Sequence, residues 1–94
     1  MTVRVKLIGS FRGLSGNDEL ELKLKESSSI REVLKIVVEQ APGLERALFD
    51  SKCEKPKTNT LILVNGKEIG VLDNFETIVE DGDKITLVPV VHGG

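Results

Sequence analysis

"SSSIREVLKIVVEQAPG", residues 27–43, has the period of a helix where nearly everything around it has the period of a strand. Ser29 and Glu32 stand three apart at its head. That is the spacing of a capping box: the serine oxygen accepts an orphan backbone N–H, and the glutamate reaches back to accept another. Ile30, Val33, Leu34, Val37 and Val38 then fall at i, i+3, i+4, i+7 and i+8, one apolar stripe of a helix. Pro42 and Gly43 stop it. "LERALF", residues 44–49, has room for a further helical turn or two.

On the N-terminal side, Val3, Val5 and Leu7 alternate with Arg4 and Lys6, a strand with one buried face. "RGLSGND", residues 12–18, reads as a turn-rich connector. In "ELELKLK", Leu20, Leu22 and Leu24 alternate with charges, so the two strands form an antiparallel hairpin. On the C-terminal side, "DSKCEKPKTNT", residues 50–60, reads as a surface loop. "LILVNGKEI", residues 61–69, is a second hairpin with Asn65-Gly66 as its two-residue turn. That loop length makes Val64 and Lys67 cross-strand partners. Ile62, Val64 and Ile69 then face the core, and Leu61, Leu63 and Glu68 face outward. A turn at Asp81-Gly82-Asp83 opens the last strand, where Ile85 and Leu87 alternate with Thr86 and Val88.

The order is strand, strand, helix, strand, short strand, strand. One helix cannot cover both faces of a sheet, so the class is α+β, with the helix across one face of a mixed sheet. Residues 1–90 are read as one domain and residues 91–94 as a flexible tail.

Composition removes several functions. The chain has 94 residues, net charge −2, no Trp, no Tyr and three Phe. It shows no basic stripe for nucleic acid and too few aromatics for base stacking. Nothing approaches membrane-spanning length, and the N-terminus has no secretory h-region, so a cytoplasmic protein is expected. His92 is the only histidine and Cys53 the only cysteine. A His-centred triad, a multi-His metal site and a cysteine-rich cluster therefore lack partners. Cys53 is read as a spectator thiol, and Asp81 and Asp83 as solvated turn formers. No metal and no bound cofactor are expected.

The end of the sequence, "PVVHGG", does carry chemistry. Average glycine usage makes a Gly-Gly ending a chance event in roughly one chain in 200. Gly93 and Gly94 lack Cβ atoms and can thread a channel too narrow for side chains. From Val90 to Gly94 the reach is about 17 Å at about 3.4 Å per residue, enough to carry a carboxylate into another protein's active site. A carboxylate is a poor acyl donor until it is adenylated. The mixed anhydride then meets a sulfur or amine nucleophile.

The chain from Val3 to Gly94 resembles the ubiquitin-like β-grasp proteins that end in Gly-Gly: the molybdopterin-synthase small subunit, the ubiquitin-related modifier and the small archaeal modifiers. "VNGKEI", "LDN", "EDGDKITLVP" and "HGG" carry the likeness, and "SFRGLSG" is similar to the family's Arg-x-x-x-Gly turn. The resemblance implies a β-grasp fold and a terminal Gly94, preceded by Gly93, that an E1-like enzyme adenylates. ATP and Mg are then used by the partner. Thiocarboxylate formation would supply sulfur for molybdopterin synthesis or tRNA thiolation. Conjugation to substrate lysines is the alternative, and a plain β-grasp interaction module is a third. Molybdopterin carriers commonly end Pro-Pro-Val-Ala-Gly-Gly, and "HGG" is closer to the ubiquitin-related modifier.

The implied partners are the E1-like enzyme and then a molybdopterin-synthase large subunit, a tRNA-thiolating enzyme or lysine-bearing proteins. Direct contact with nucleic acid or membrane is not implied. His92, Val91 and Pro89 are assigned to tail docking, with an ordinary exposed histidine as the alternative for His92. Ile8, Leu63 and Val88, opposite in phase to the buried sets, are expected to form an outward apolar partner surface.

Overall fold

A computed structural model describes residues 1–50 and 55–90. Strand β1 (Thr2–Leu7) buries Val3, Val5 and Leu7 and leaves Arg4 and Lys6 in solvent. After the short helix α1 (Ser10–Ser15), β2 (Glu19–Lys23) returns antiparallel to it, burying Leu20 and Leu22. The two-residue β3 (Ser28–Ser29) leads into helix α2 (Ile30–Gln40). A 3-10 turn at Pro42–Leu44 and helix α3 (Glu45–Leu48) follow. β4 (Thr60–Val64) and the short β5 (Lys67–Glu68) form the second hairpin. The 3-10 turns Ile69–Val71 and Asn74–Glu76 lead to β6 (Ile78–Val79), and β7 (Lys84–Pro89) completes the sheet.

The main sheet has the order β2-β1-β7-β4-β5. β7 lies between the two hairpins, parallel to β1 and antiparallel to β4. The sheet is therefore mixed, and the class is α+β. α2 covers one face: Ile30, Val33, Leu34 and Val37 join the inward residues of β1, β2, β4 and β7 in one core, with Val38 partly buried against it. The capping box forms. Ser29 Oγ accepts from the Glu32 N–H at 3.2 Å, and Glu32 Oε1 accepts from the Ser29 N–H at 3.1 Å.

The second hairpin has the register expected of its turn, with Val64 opposite Lys67 and Leu63 opposite Glu68. Asn65 (φ 51°) and Gly66 (φ 84°) are both left-handed, as a type I′ turn requires. Asn65 has a second task. Its amide donates to Asp83 Oδ1 and accepts from the Lys84 N–H, both at 2.9 Å, tying this turn to the start of β7.

Three segments differ from the expectation. Residues 10–15, of which 12–15 were read as part of a turn-rich connector, are helical. Gly9 turns the chain off β1, Gly16 caps the helix with its N–H on the Arg12 carbonyl at 2.8 Å, and the helix buries Phe11. Residues 28–29 and 78–79 pair as a separate two-stranded ladder. Residues 69–76 close into two 3-10 turns. Elements of two or three residues are too short to show any period.

Candidate functional site

Pro89 ends β7 opposite Thr60, and the Val90 N–H still donates to the Asn59 carbonyl at 3.2 Å. The pairing with β4 thus guides the backbone as far as Val90, the last residue described before the tail. Val91, His92, Gly93 and Gly94, to which the reactive and docking roles were given, lie outside the described residues, as does Cys53. On the other side of β7, the Pro89 ring closes on Gly9. A Cβ at Gly9 would sit 3.3 Å from Pro89 Cγ, so a glycine there admits the proline. The base of the tail is therefore flanked by the Gly9–α1 corner and by the residues leading into β4.

Beside this strand end lies the face of the sheet that α2 does not cover. Val88 points outward and pairs directly with Leu61, which is 36% exposed. The Ile8 N–H donates to the Leu87 carbonyl at 3.1 Å, and Leu7 is in register with Leu87, so Ile8 continues β1 alongside Val88. Leu63 faces Thr86, one outward pair further from the tail. Ile8, Leu63 and Val88 are each half-buried, and Val90 is 44% exposed. The tail-proximal half of the open face is thus apolar.

Its other half is charged. Arg4 pairs with Glu21 in one direction and Lys84 in the other, and its guanidinium holds Glu19 at 3.0 Å. That hydrogen bond pushes the Arg4 pKa above its already high usual value. Arg4 therefore stays cationic throughout the range in which proteins work.

An apolar platform at the foot of an outgoing strand suits docking onto a partner that then receives the strand. The likeness to known proteins follows the same lines. The model of the ThiS family matches residues 5–94, through the last glycine. The chain belongs to that family. Its members and neighbours are ubiquitin-like sulfur carriers and small modifiers, and the fold is theirs.

The small archaeal modifier protein 3 of Haloferax volcanii is 28% identical over 94 residues, covering 100% of both chains. The ubiquitin-related modifier 1 homolog of Caenorhabditis elegans is 31% identical over 78 residues, 79% of this chain and 77% of that one. The solution structure of the small archaeal modifier protein 1 of Methanosarcina acetivorans superposes with a TM-score of 0.86 at 31% identity. It covers 99% of this chain and 96% of that one.

In this ThiS-family chain the platform draws on β1, β4 and β7, which are far apart in sequence. Leu61 was assigned to the outward face by the Asn65-Gly66 register but left out of the expected partner surface. Its pairing with Val88 makes it central. The missing signal was the β4–β7 register, which no local pattern encodes. Arg12, in the "SFRGLSG" segment, donates from Nε to the Leu7 carbonyl at 3.2 Å, a bond that holds α1 against the end of β1. Among the described residues, no helix is long and apolar enough to cross a membrane.

Proposed function

We propose that this chain is a ubiquitin-like sulfur carrier whose acyl group is the carboxylate of Gly94. The observation that carries the reading is the family match running through Gly94, on a strand that leaves the domain beside an apolar platform. A partner E1-like enzyme binds the platform of Ile8, Leu61, Leu63 and Val88 and takes up the tail. A carboxylate oxygen of Gly94 attacks the α-phosphorus of ATP, and pyrophosphate leaves. ATP and Mg belong to the partner. Hydrosulfide then attacks the acyl carbon of the adenylate, AMP departs with the electrons of the broken C–O bond, and loss of the S–H proton leaves the thiocarboxylate. The sulfur serves molybdopterin synthesis or tRNA thiolation. Gly93 and Gly94 supply narrowness, and Pro89, Val91 and His92 guide the tail. On this reading the domain is a handle, and the chemistry takes place in its partners.

A second reading has specific support. Two relatives are named modifiers, and the ending "HGG" resembles the ubiquitin-related modifier more than the molybdopterin carriers. In it, a substrate lysine amine attacks the same activated carbonyl, forming an isopeptide bond. Intact mass spectrometry of the protein from its own cells separates the two. Exchange of one oxygen for sulfur adds about 16 Da and marks the carrier. A Gly-Gly remnant on substrate lysines after proteolysis marks the modifier. Neither species, in cells with an active E1-like enzyme, overturns both and leaves a plain interaction module.

A further inference from the structure

A second exposed apolar surface lies elsewhere on the molecule. Val71 is 76% exposed, Ile78 55% and Leu72 38%. The Asp73 N–H donates to Thr77 Oγ1 at 2.9 Å and closes the turn between them. That bond brings residues 73 and 77 together, so the chain enters the closed turn from exposed Leu72, preceded by Val71, and leaves it at exposed Ile78. Phe75 in the same turn is partly buried against the core, so the turn is anchored.

The charge along this segment is one-sided. Residues 68–83 contain Glu68, Asp73, Glu76, Glu80, Asp81 and Asp83, and no Lys or Arg. Among the described residues, the one basic side chain from outside the segment that reaches it with a direct ion pair is Arg31, 3.0 Å from Glu76 and over the Phe75 ring. Lys67 and Lys84 flank the segment in sequence.

Its position separates it from the tail. Ile78 lies two residues before Glu80, and the Glu80 N–H donates to Asp83 Oδ2 at 2.7 Å in the turn that opens β7. The tail leaves from the far end of β7, about 17 Å away at about 3.3 Å per residue.

We propose that this pole is a second docking site, and that its occupant is a protein segment with apolar side chains flanked by lysine or arginine, such as a basic amphipathic helix. Charge complementarity selects that occupant. Nucleic acid and anionic lipid are repelled by the acidic rim. A second copy placed symmetrically here would set the same carboxylates against each other. The proposal goes beyond the carrier reading and does not need it. Its consequence is that one partner can hold the domain by this pole while the tail lies in another's active site.

The test titrates the 15N-labelled full chain with a synthetic helical peptide of leucine and lysine, and with its twin carrying glutamate for lysine. The basic peptide is expected to shift amides of residues 71–80 and spare Ile8, Leu61 and Val88. Its affinity should fall about tenfold from 50 to 500 mM salt, as screened charge pairs lose strength. Val71→Ser with Ile78→Ser should weaken it at least about fivefold, because the apolar centre carries the contact. Asp73→Asn with Glu80→Gln should weaken it and flatten the salt dependence. The double serine variant should keep normal ATP–pyrophosphate exchange with the E1-like enzyme.

The proposal is overturned by equal binding of the acidic twin, by shifts centred on Val88, or by no saturable binding. Serine variants that bind normally or lose exchange also overturn it, as does sedimentation showing a dimer formed through Val71. Peptide binding is read without the E1-like enzyme, so failure here and failure of the carrier reading are separate results.

Discussion

At the residue scale, Ser29 and Glu32 were legible because a capping box is local: two side chains and the backbone between them suffice. The Ser29 backbone N–H, then its hydroxyl, hold the Glu32 carboxyl below its usual pKa. A depressed carboxylate contributes stability above its unfolded pKa, and that contribution is lost as pH falls through the folded value. Glu32→Gln should therefore be less stable than the natural chain at pH 7. The difference should shrink as pH falls below about 4, near the ordinary glutamate value, in urea unfolding at a series of pH values. Ser29→Ala, which removes the cap itself, should cost about 1 kcal/mol. Gly43 was read only as a helix stop, and its larger constraint was invisible. A Cβ there would overlap the backbone carbonyl of Leu14, so α1 packs on this residue because it is a glycine. Gly43→Ala should cost about 1–3 kcal/mol, as overpacking against an unyielding backbone does. A neutral result in the same unfolding assay would mean that α1 moves aside freely.

At the element scale, strands and the long helix could be read because their apolar faces repeat over five or more residues. α1 could not. Six residues give under two turns, and its glycines at 9, 13 and 16 carry the signature of loops. The β3–β6 ladder failed for a similar reason, since two residues have no alternation and their pairing depends on 50 residues of intervening chain. The Asn65-Gly66 hairpin is the opposite case, where the turn dictates the register. Gly66→Ala should cost about 1–2 kcal/mol, the price of a left-handed alanine. Asn65→Ala should cost at least as much, because it also strips the bonds to Asp83 and Lys84. The register leads to a sharper contrast. Leu61→Asp changes an outward side chain and should move stability by under about 0.5 kcal/mol, while Ile62→Asp, one residue away and 1% exposed, should prevent folding. If Val88, Leu61 and Ile8 are the docking platform, Leu61→Asp should also weaken binding to the E1-like enzyme about tenfold or more, as loss of a central apolar contact does. Unaltered affinity measured by calorimetry would remove the platform from the mechanism.

At the scale of the whole molecule, the strand order was not legible, although the fold class was. Nothing local says that β7 lies between the two hairpins, yet that placement gives Pro89 and Val90 their neighbours. The last strand is central in the sheet and held on both sides, by β1 in parallel and β4 in antiparallel pairing. A chain leaving a central strand has a fixed origin, so on the carrier mechanism proposed above the domain sets where the tail begins and the glycines contribute reach and slimness. Stability and function should then separate cleanly at the C-terminus. Among the described residues, Ile85 and Leu87 are the last buried members of the core. Deleting Gly94 should leave the thermal unfolding midpoint within about 1–2 °C of the natural chain, since a glycine at a chain end adds nothing to fold stability. It should abolish ATP–pyrophosphate exchange by the E1-like enzyme, because the carboxylate then falls about 3.4 Å short of the nucleotide, a displacement larger than catalytic alignment tolerates. His92→Ala should slow the exchange only modestly, since a docking side chain contributes binding and not chemistry. Exchange at the normal rate by the shortened chain would refute the carrier mechanism, whereas a loss in His92→Ala as large as that from the deletion would make the histidine part of the activation step.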